Sequence, residues 1–342
     1  MPQIVRNIFE DYVKERFDLQ DCIAVNNGTT ALHLALIASG VKEGDEVLVP
    51  DITFISTGNV VIYENAKPVI VECDPKTYNI SLEDAEKKIT KNTKAIIPVD
   101  MNGLPVDYDE ILAFSKKHNL QVIADSAEAL GAVYKEKKIG ALAPIHIFSF
   151  FPNKNITTGE GGMITTNNKS YADRIKKLRN QGQEYRYHHT MLGYNYRMTD
   201  ILASIGIEQL KRIRNTITEK EKIAKRYTEE FKNDDLIFSP FVPDYVDQHS
   251  WYMYAISLDK SIDRDYVVAE LKKRGIETRL SFPPMHTQPY YQEKFEYNDD
   301  SFPISMGAWE QLINIPIWVG IGIEKQKYVI DCLRNIIVKV ES

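Results

Sequence analysis

The chain has 342 residues, of which 43% are hydrophobic and 26% charged, and its formal net charge is −6. These proportions are ordinary for a soluble globular protein, and the length favours two domains, or one large and one small, over a single compact one. With no basic block, nucleic acid is not an expected partner, and no apolar run is long enough to span a bilayer. The start of the chain, Met-Pro-Gln-Ile-Val-Arg-Asn, lacks the apolar centre of a signal peptide. Cys22, Cys73 and Cys332 are widely separated without metal-binding spacing, so buried thiols in a reducing cytoplasm and no metal centre are expected.

From residue 20 to about 170, short apolar runs alternate with helical patterns. Asp45 to Pro50, Lys67 to Val71, Lys94 to Val99, Gln121 to Ala124 and Ile145 to Phe150 read as strands. Between them, Thr29 to Ala38, Ser81 to Ile89 and Asp109 to His118 carry helical periodicity. Such alternation predicts an α/β fold with a mainly parallel sheet flanked by helices, with ligands bound beyond the carboxyl ends of the strands. A long helical pattern starts at Met198-Thr199-Asp200, runs through Ile205, Leu210 and Ile213, and continues from Glu219 to Phe231 as a bridge. Beyond it, Trp251 to Ser257 reads as a strand, Asp263 to Arg274 as a helix and Lys325 to Val340 as a closing helix. The expected division is a large domain over 1–215 and a smaller α+β domain over 216–342.

Asn27-Gly28-Thr29-Thr30-Ala31-Leu32 puts a glycine and two threonines just ahead of an apolar helix. The free amide groups and dipole of that helix end favour an anion, although Thr29 as a plain N-cap explains the same residues. Phe54, soon after the strand ending at Pro50, reads either as a ring stacking on a flat ligand or as a core side chain. Val122-Ile-Ala-Asp125 ends an apolar run in a carboxylate, which is costly to bury without a partner. Asp125 could instead cap a helix starting at Ser126. Glu128 would then be its capping-box partner, or it could point into a site.

Ser149-Phe-Phe-Pro-Asn-Lys154 is followed by Thr157-Thr158-Gly-Glu-Gly-Gly162. Most lysines are solvated surface groups, but the aromatic and apolar residues before Lys154 draw its amine out of solvent. A lysine amine and a buried aspartate are the two groups that pyridoxal phosphate requires. The amine bonds the cofactor aldehyde, and the carboxylate keeps the pyridine nitrogen protonated. Ser149 could bond the phosphate of the same cofactor.

Several motifs resemble the DegT/DnrJ/EryC1/StrS family of sugar aminotransferases in order and spacing. They are Gly28 to Leu36, Gly44 to Pro50, Ala124-Asp-Ser-Ala-Glu-Ala-Leu-Gly-Ala132, the Lys154 segment, Gly193-Tyr-Asn-Tyr-Arg-Met-Thr-Asp200 and Phe282-Pro-Pro-Met-His286. The resemblance implies the fold type I of pyridoxal phosphate enzymes, like that of aspartate aminotransferase. By the same likeness Lys154 would hold the cofactor and move the proton, Asp125 would pair with the ring nitrogen and Phe54 would stack on the ring. Gly28, Thr29, Thr30 and Ser149 would surround the phosphate, and Glu128 would lie near the reacting sugar carbon. Asn195 would reach the phosphate of the other subunit's cofactor, which implies a homodimer with shared sites. His189, Arg197, His286 and Tyr291 would sit on the sugar-nucleotide side.

In this family a histidine in place of the lysine marks enzymes that remove a hydroxyl, so Lys154 implies transamination. The Tyr194-Asn-Tyr-Arg-Met198 wording resembles enzymes that aminate C4 of a 4-keto-6-deoxy sugar, and the lysine segment resembles perosamine synthases, which use a GDP-linked substrate. The implied amino donor is L-glutamate. The rivals are a C3 or cyclitol aminotransferase of the same family and a non-catalytic homologue that binds cofactor or sugar nucleotide. The family ordinarily has a longer stretch ahead of the equivalent of Phe9-Glu10, including a glycine-containing loop near the substrate. Either that stretch is missing from this sequence or the substrate cleft is shortened, and the expected effect falls on sugar recognition and not on the cofactor residues.

Overall fold

The computed structural model describes residues 4–341. Its central sheet has seven strands: β1 (Asp21–Val25), β2 (Glu46–Pro50), β3 (Lys67–Val71), β4 (Thr93–Ile96), β5 (Gln121–Asp125), β6 (Ile145–Ser149) and β7 (Gly162–Thr166). Their order is β1-β7-β6-β5-β4-β2-β3. β7 pairs antiparallel with both neighbours, and every other pairing is parallel. Helices cover both faces, so β2 and β7 are buried at every residue and show no polar alternation.

The pleat still sorts side chains between two cores. Leu48, Val122, Ala124, Phe148 and Met163 face one with Phe9 and Phe150. Val47, Val49, Ile123, Ile147 and Ile164 face the other, against Leu32 and Leu36. Helix α1 (Ile4–Phe17) packs on the first face beside Asp200–Leu210, where Gly206 leaves room for the Phe9 ring. A Cβ at Gly206 would lie 2.8 Å from that ring. Helix α2 (Gly28–Ala38) lies on the second face and buries Leu32, His33, Leu34 and Leu36.

The expected strands are present with ends shifted by a few residues, but β1 and β7 lay outside the expectation. Both are five residues long, and the Gly-Gly start of β7 resembles a turn in sequence. The long helical pattern also divides. It becomes Asp200–Leu210 and Ile213–Phe231, separated by a turn at Lys211-Arg212. That turn sends the second helix across to another core. Ile213 and Ile217 still pack on the first face of the sheet, whereas Ile223, Tyr227 and Phe231 join Trp251, Tyr254, Ile256, Leu271 and Leu333. A three-stranded sheet, Ile237–Phe238, Tyr254–Leu258 and Leu312–Ile315, runs through this last cluster.

Candidate active site

The C-terminal ends of the parallel strands gather the chemistry, as the topology requires. β5 ends at Asp125, which lies in register with Ile147 of β6 and forms a bridge to Val99. Asp125 is buried. Its Oδ2 accepts a hydrogen bond from the Thr57 hydroxyl at 3.0 Å, and its Oδ1 accepts one from the Ala127 amide at 3.2 Å. Burial pushes its pKa up to about 6, against the opposing pull of the Ala127 and Thr57 bonds and of the Lys154 charge. No helix starts at Ser126; residues 126–131 form a turn, so neither Asp125 nor Glu128 caps one.

Lys154 sits in the turn after β6, where its amide donates to the Phe151 carbonyl at 2.9 Å. The Gly-rich return is pinned to Phe150, whose carbonyl accepts from the Thr158 amide and the Thr157 hydroxyl, both at 3.0 Å. Gly159 turns there with φ of +82°, in the left-handed region that favours glycine. The Lys154 Nζ lies 3.3 Å from Glu128 Oε1 and 4.2 Å from the centre of the Tyr252 ring. Glu128 is in turn fixed by the Asn102 amide, which donates to Oε2 at 2.8 Å. Ser250 donates to the Glu128 carbonyl at 2.6 Å, and Asn155 donates to the Ser250 carbonyl at 2.7 Å. The segment 250–252 therefore holds both the lysine turn and its carboxylate from far along the chain.

A cavity of 370 Å³ joins these groups to the start of α2. Gly28, Thr29, Phe54, Asp125, Glu128, Ser149 and Lys154, all named from sequence, line it. The helix cap is Asn27 and not Thr29: Asn27 Oδ1 accepts from the Thr30 amide at 2.9 Å. Thr30, expected at the phosphate, takes part in that cap. Its hydroxyl completes the capping box and bonds Asn26 Oδ1 at 2.7 Å, and Thr30 does not line the cavity. Thr29 is thereby left free at an anion-favouring helix end. A Cβ on Gly28 would come within 3.0 Å of Ser149 Cβ, so this glycine lets the helix end and the serine approach each other.

Behind Asp125 lies a buried network that local sequence did not reveal. The Ala143 amide donates to His146 Nε2 at 2.8 Å, so Nδ1 carries the ring proton and donates to Ser126 Oγ at 2.9 Å. Ser126 donates to Asp100 Oδ2 at 2.6 Å, and the Tyr108 hydroxyl donates to the same oxygen at 2.8 Å. Burial pushes Asp100 up to about 7 and holds His146 down at about 3. The Asp100 amide also donates to the Asp125 carbonyl at 3.0 Å, tying the network to the peptide that carries the site carboxylate.

The remaining expected residues do not converge on this cavity. Asn195 and His189 are exposed, and His189 Nδ1 donates to the Gln181 carbonyl at 2.9 Å. Arg197 is half-buried and donates to Asn180 Oδ1 at 2.6 Å. His286 and Tyr291, expected on the sugar side, are core residues of this chain with 0% and 1% exposure. His286 Nδ1 bonds Asp51 Oδ2 at 2.6 Å. Burial works against its charge, but the bond and charge of Asp51 outweigh it and raise the pKa. The Tyr291 hydroxyl donates to Asn59 Oδ1 at 3.0 Å. A histidine and a tyrosine in a motif do not disclose their burial; only packing does.

The lined cavity fits pyridoxal phosphate. It offers an anion seat, a buried carboxylate and an amine, together with two buried polar atoms that have no hydrogen-bond partner, Asn153 Oδ1 and Tyr252 Oη. The DegT/DnrJ/EryC1/StrS aminotransferase family matches residues 5–334. The chain belongs to this family. It is 41% identical over 345 residues to an uncharacterized protein of Methanocaldococcus jannaschii, MJ1066, with 96% of this chain and 88% of that protein covered. It is 40% identical over 335 residues to the GDP-perosamine synthase of Caulobacter vibrioides, covering 96% and 89%. Its fold matches the PMP form of a sugar aminotransferase, Spr1654 of Streptococcus pneumoniae, with a TM-score of 0.93 at 26% identity, covering 98% and 92%. The protein is thus a fold type I sugar aminotransferase that uses pyridoxal phosphate.

Proposed function

We propose that this aminotransferase moves an amino group from L-glutamate to C4 of a nucleotide-linked 4-keto-6-deoxy sugar, as in the making of GDP-perosamine for a surface polysaccharide. What carries the reading is an intact amine at Lys154, beside a paired carboxylate, in a chain 40% identical to a GDP-perosamine synthase. The bound cofactor supplies a carrier for the amino group and an electron sink for the reacting carbon.

Gly28, Thr29 and Ser149 would seat the phosphate, Asp125 the ring nitrogen and Phe54 one face of the ring. Asp125 is suited to the task because its own neighbours supply only one hydroxyl and one amide, so a cationic ring nitrogen satisfies what burial leaves open. Lys154 would deliver and remove the proton at the substrate carbon. Glu128, accepting from Lys154 and fixed by Asn102, would hold the amine in place between transfers. Tyr252 closes one side of that amine and limits access of water to it.

Asn195, His189 and Arg197 are read as serving the partner's site in a homodimer. Their absence from this chain's own cavity supports that reading. So do Ile4, Ile8, Ile201 and Ile205, which are exposed on two helices packed together. The 1–215 and 216–342 division is kept as two domains, with the 282–302 segment returning to the large one through Met285, Tyr291 and Phe302. Among the described residues no helix is long and apolar enough to cross a membrane, and all three cysteines are free and buried. Both suit the cytoplasmic setting that we propose.

The test is spectroscopic, then synthetic. Cofactor-loaded protein should show a visible band that L-glutamate converts to the near-ultraviolet form. Adding a GDP-linked 4-keto-6-deoxy sugar should restore the band and yield the 4-amino sugar. Turnover of 3-keto substrates with none of the 4-keto sugar would overturn the assignment to C4.

A further inference from the structure

The reaction proposed above gives no part to Lys220, a buried lysine on the helix Ile213–Phe231. Among the described residues no carboxylate bonds it. Burying an ammonium without a counter-charge costs free energy, and an apolar side chain of similar length would fill the same space without that cost. The charge has three acceptors instead. Its Nζ donates to Asn155 Oδ1 at 2.7 Å, to the Trp251 carbonyl at 3.0 Å and to the Tyr252 carbonyl at 3.4 Å. An ammonium has one N–H for each of them, whereas a neutral amine is one short. Burial lowers the pKa to about 8, so the third N–H is still in place at neutral pH.

The acceptors belong to two segments that meet at Lys154. Asn155 is the next residue of the lysine turn, and Tyr252 lays its ring against the Lys154 amine. Between them, Trp251 has φ of +50°, in the left-handed region that a bulky side chain rarely adopts. That conformation is held from two sides. The Trp251 amide donates to His249 Nδ1 at 2.8 Å, and the indole N–H donates to Glu221 Oε2 on the helix that carries Lys220. With the chain turned in this way, the carbonyls of residues 251 and 252 both face one ammonium. Strained backbone of this kind persists only where its surroundings fix it, and it gathers at functional sites.

The same segment carries the carboxylate beside Lys154. Ser250 bonds the Glu128 carbonyl, and the Ser250 amide donates to the Gly103 carbonyl at 3.2 Å. The Met253 amide donates to the Asn102 carbonyl at 3.3 Å, next to the Asn102 amide that fixes Glu128 Oε2. A Cβ on Gly103 would come within 2.0 Å of Ser250 Oγ, so nothing larger lets the two loops close. Lys220 ties this assembly to a helix whose later residues, Tyr227 and Phe231, pack in the C-terminal core.

We propose that Lys220 is a positioning residue for Lys154: its ammonium clamps the lysine turn, through Asn155, to the 251–252 peptides, and so sets where the Lys154 amine stands between Glu128 and the Tyr252 ring. The proposal rests on the reading of Lys154 as the group that moves the proton. Proton transfer depends steeply on the placement of the amine, so a clamp two residues removed from the chemistry acts on the rate and not on the binding of the amino donor.

The experiment follows the visible band of the cofactor-loaded protein by stopped flow after L-glutamate is added, in wild type, Lys220→Met, Asn155→Ala and the double variant. Methionine keeps much of the side-chain length and removes every donor. In Lys220→Met the rate constant at saturating glutamate should fall by on the order of tenfold, while the glutamate concentration for half-maximal rate moves by less than about twofold. Asn155→Ala should share that loss. The double variant should lose less than the product of the two, because both changes cut one connection. A lysine that only stabilises the fold would leave the rate of the folded, banded protein unchanged. If Lys220→Met does not fold or hold cofactor, Asn155→Ala decides alone: a slower rate supports the clamp and a wild-type rate overturns it. A wild-type rate in Lys220→Met, losses that multiply in the double variant, or a change confined to glutamate affinity overturns the proposal and leaves the Lys154 reading standing. A wild-type band that glutamate does not change removes that reading, and the proposal with it.

Discussion

Two buried acidic clusters lie back to back at the end of β5, and they differ in what they leave open. Around Asp100 every polar atom is matched: Ser126, Tyr108 and the Val106 amide all donate to the carboxyl, and His146 completes the chain. Around Asp125, Glu128 and Lys154 the bonding is sparse and the groups line a cavity. Both aspartates are held above the usual carboxylate range by burial, to about 7 and about 6. A raised pKa therefore does not distinguish the functional carboxyl from the structural one. Unfilled bonding beside open space does.

The largest expected effect falls on the open cluster. Lys154→Ala should bind cofactor without the visible covalent band and lose turnover by on the order of 10³-fold or more; near-normal turnover would remove the lysine from the reaction. Next, Asp125→Asn should keep the fold and the covalent band but slow turnover by about 10²–10³-fold, because an amide cannot stabilise a cationic ring nitrogen. A rate close to that of wild type would reduce Asp125 to a structural group like Asp100.

In the closed cluster the effect should appear in stability. Asp100→Asn places an amide N–H among donors and should cost about 1–3 kcal/mol in a denaturant titration. The sign of its pH dependence follows from linkage. Asp100 keeps its proton in the folded state up to about 7, whereas the unfolded chain loses it near 3.8. Its contribution is therefore fully present below about 4 and is lost as pH rises to 7. His146 acts in the opposite sense across part of the same window, since folding lowers its pKa from 6.5 to about 3. Relative to wild type, Asp100→Asn should gain stability between pH 4 and 7; a parallel profile would show that the carboxyl is ionised throughout. Smallest of all, Tyr291→Phe should lose about 1 kcal/mol through its bond to Asn59 and leave sugar-nucleotide affinity unchanged. A fall in that affinity would return Tyr291 to the substrate side.

Residues flanked by strong local signals were legible from sequence. Asp125 closes an apolar run and Lys154 follows one, so strand ends and chemistry coincide in a short stretch of chain. β1 and β7 were not legible, because short runs such as Asp21–Val25 and Gly162–Thr166, mixed in polarity and ending in aspartate, glycine or threonine, do not declare a strand until their neighbours pair with them. Tyr252, Ser250, Asn155 and Lys220 gave no local sign of a role either. Tyr252 meets Lys154, Ser250 meets Glu128 and Asn155, and Lys220 meets Asn155 only after the chain has crossed into the C-terminal core and come back.

Sequence alone determined the alternating α/β order, the lysine and the carboxylate, because periodicity and local motif act over a few residues. Tertiary structure alone decided that Asn27 caps the helix with Thr30 closing the capping box, that His286 and Tyr291 are buried in the core, and that the Asp100 amide bonds the Asp125 carbonyl. Burial and hydrogen-bond partners are set by segments distant in the chain, as when residue 51 meets residue 286, and local spacing carries no record of them.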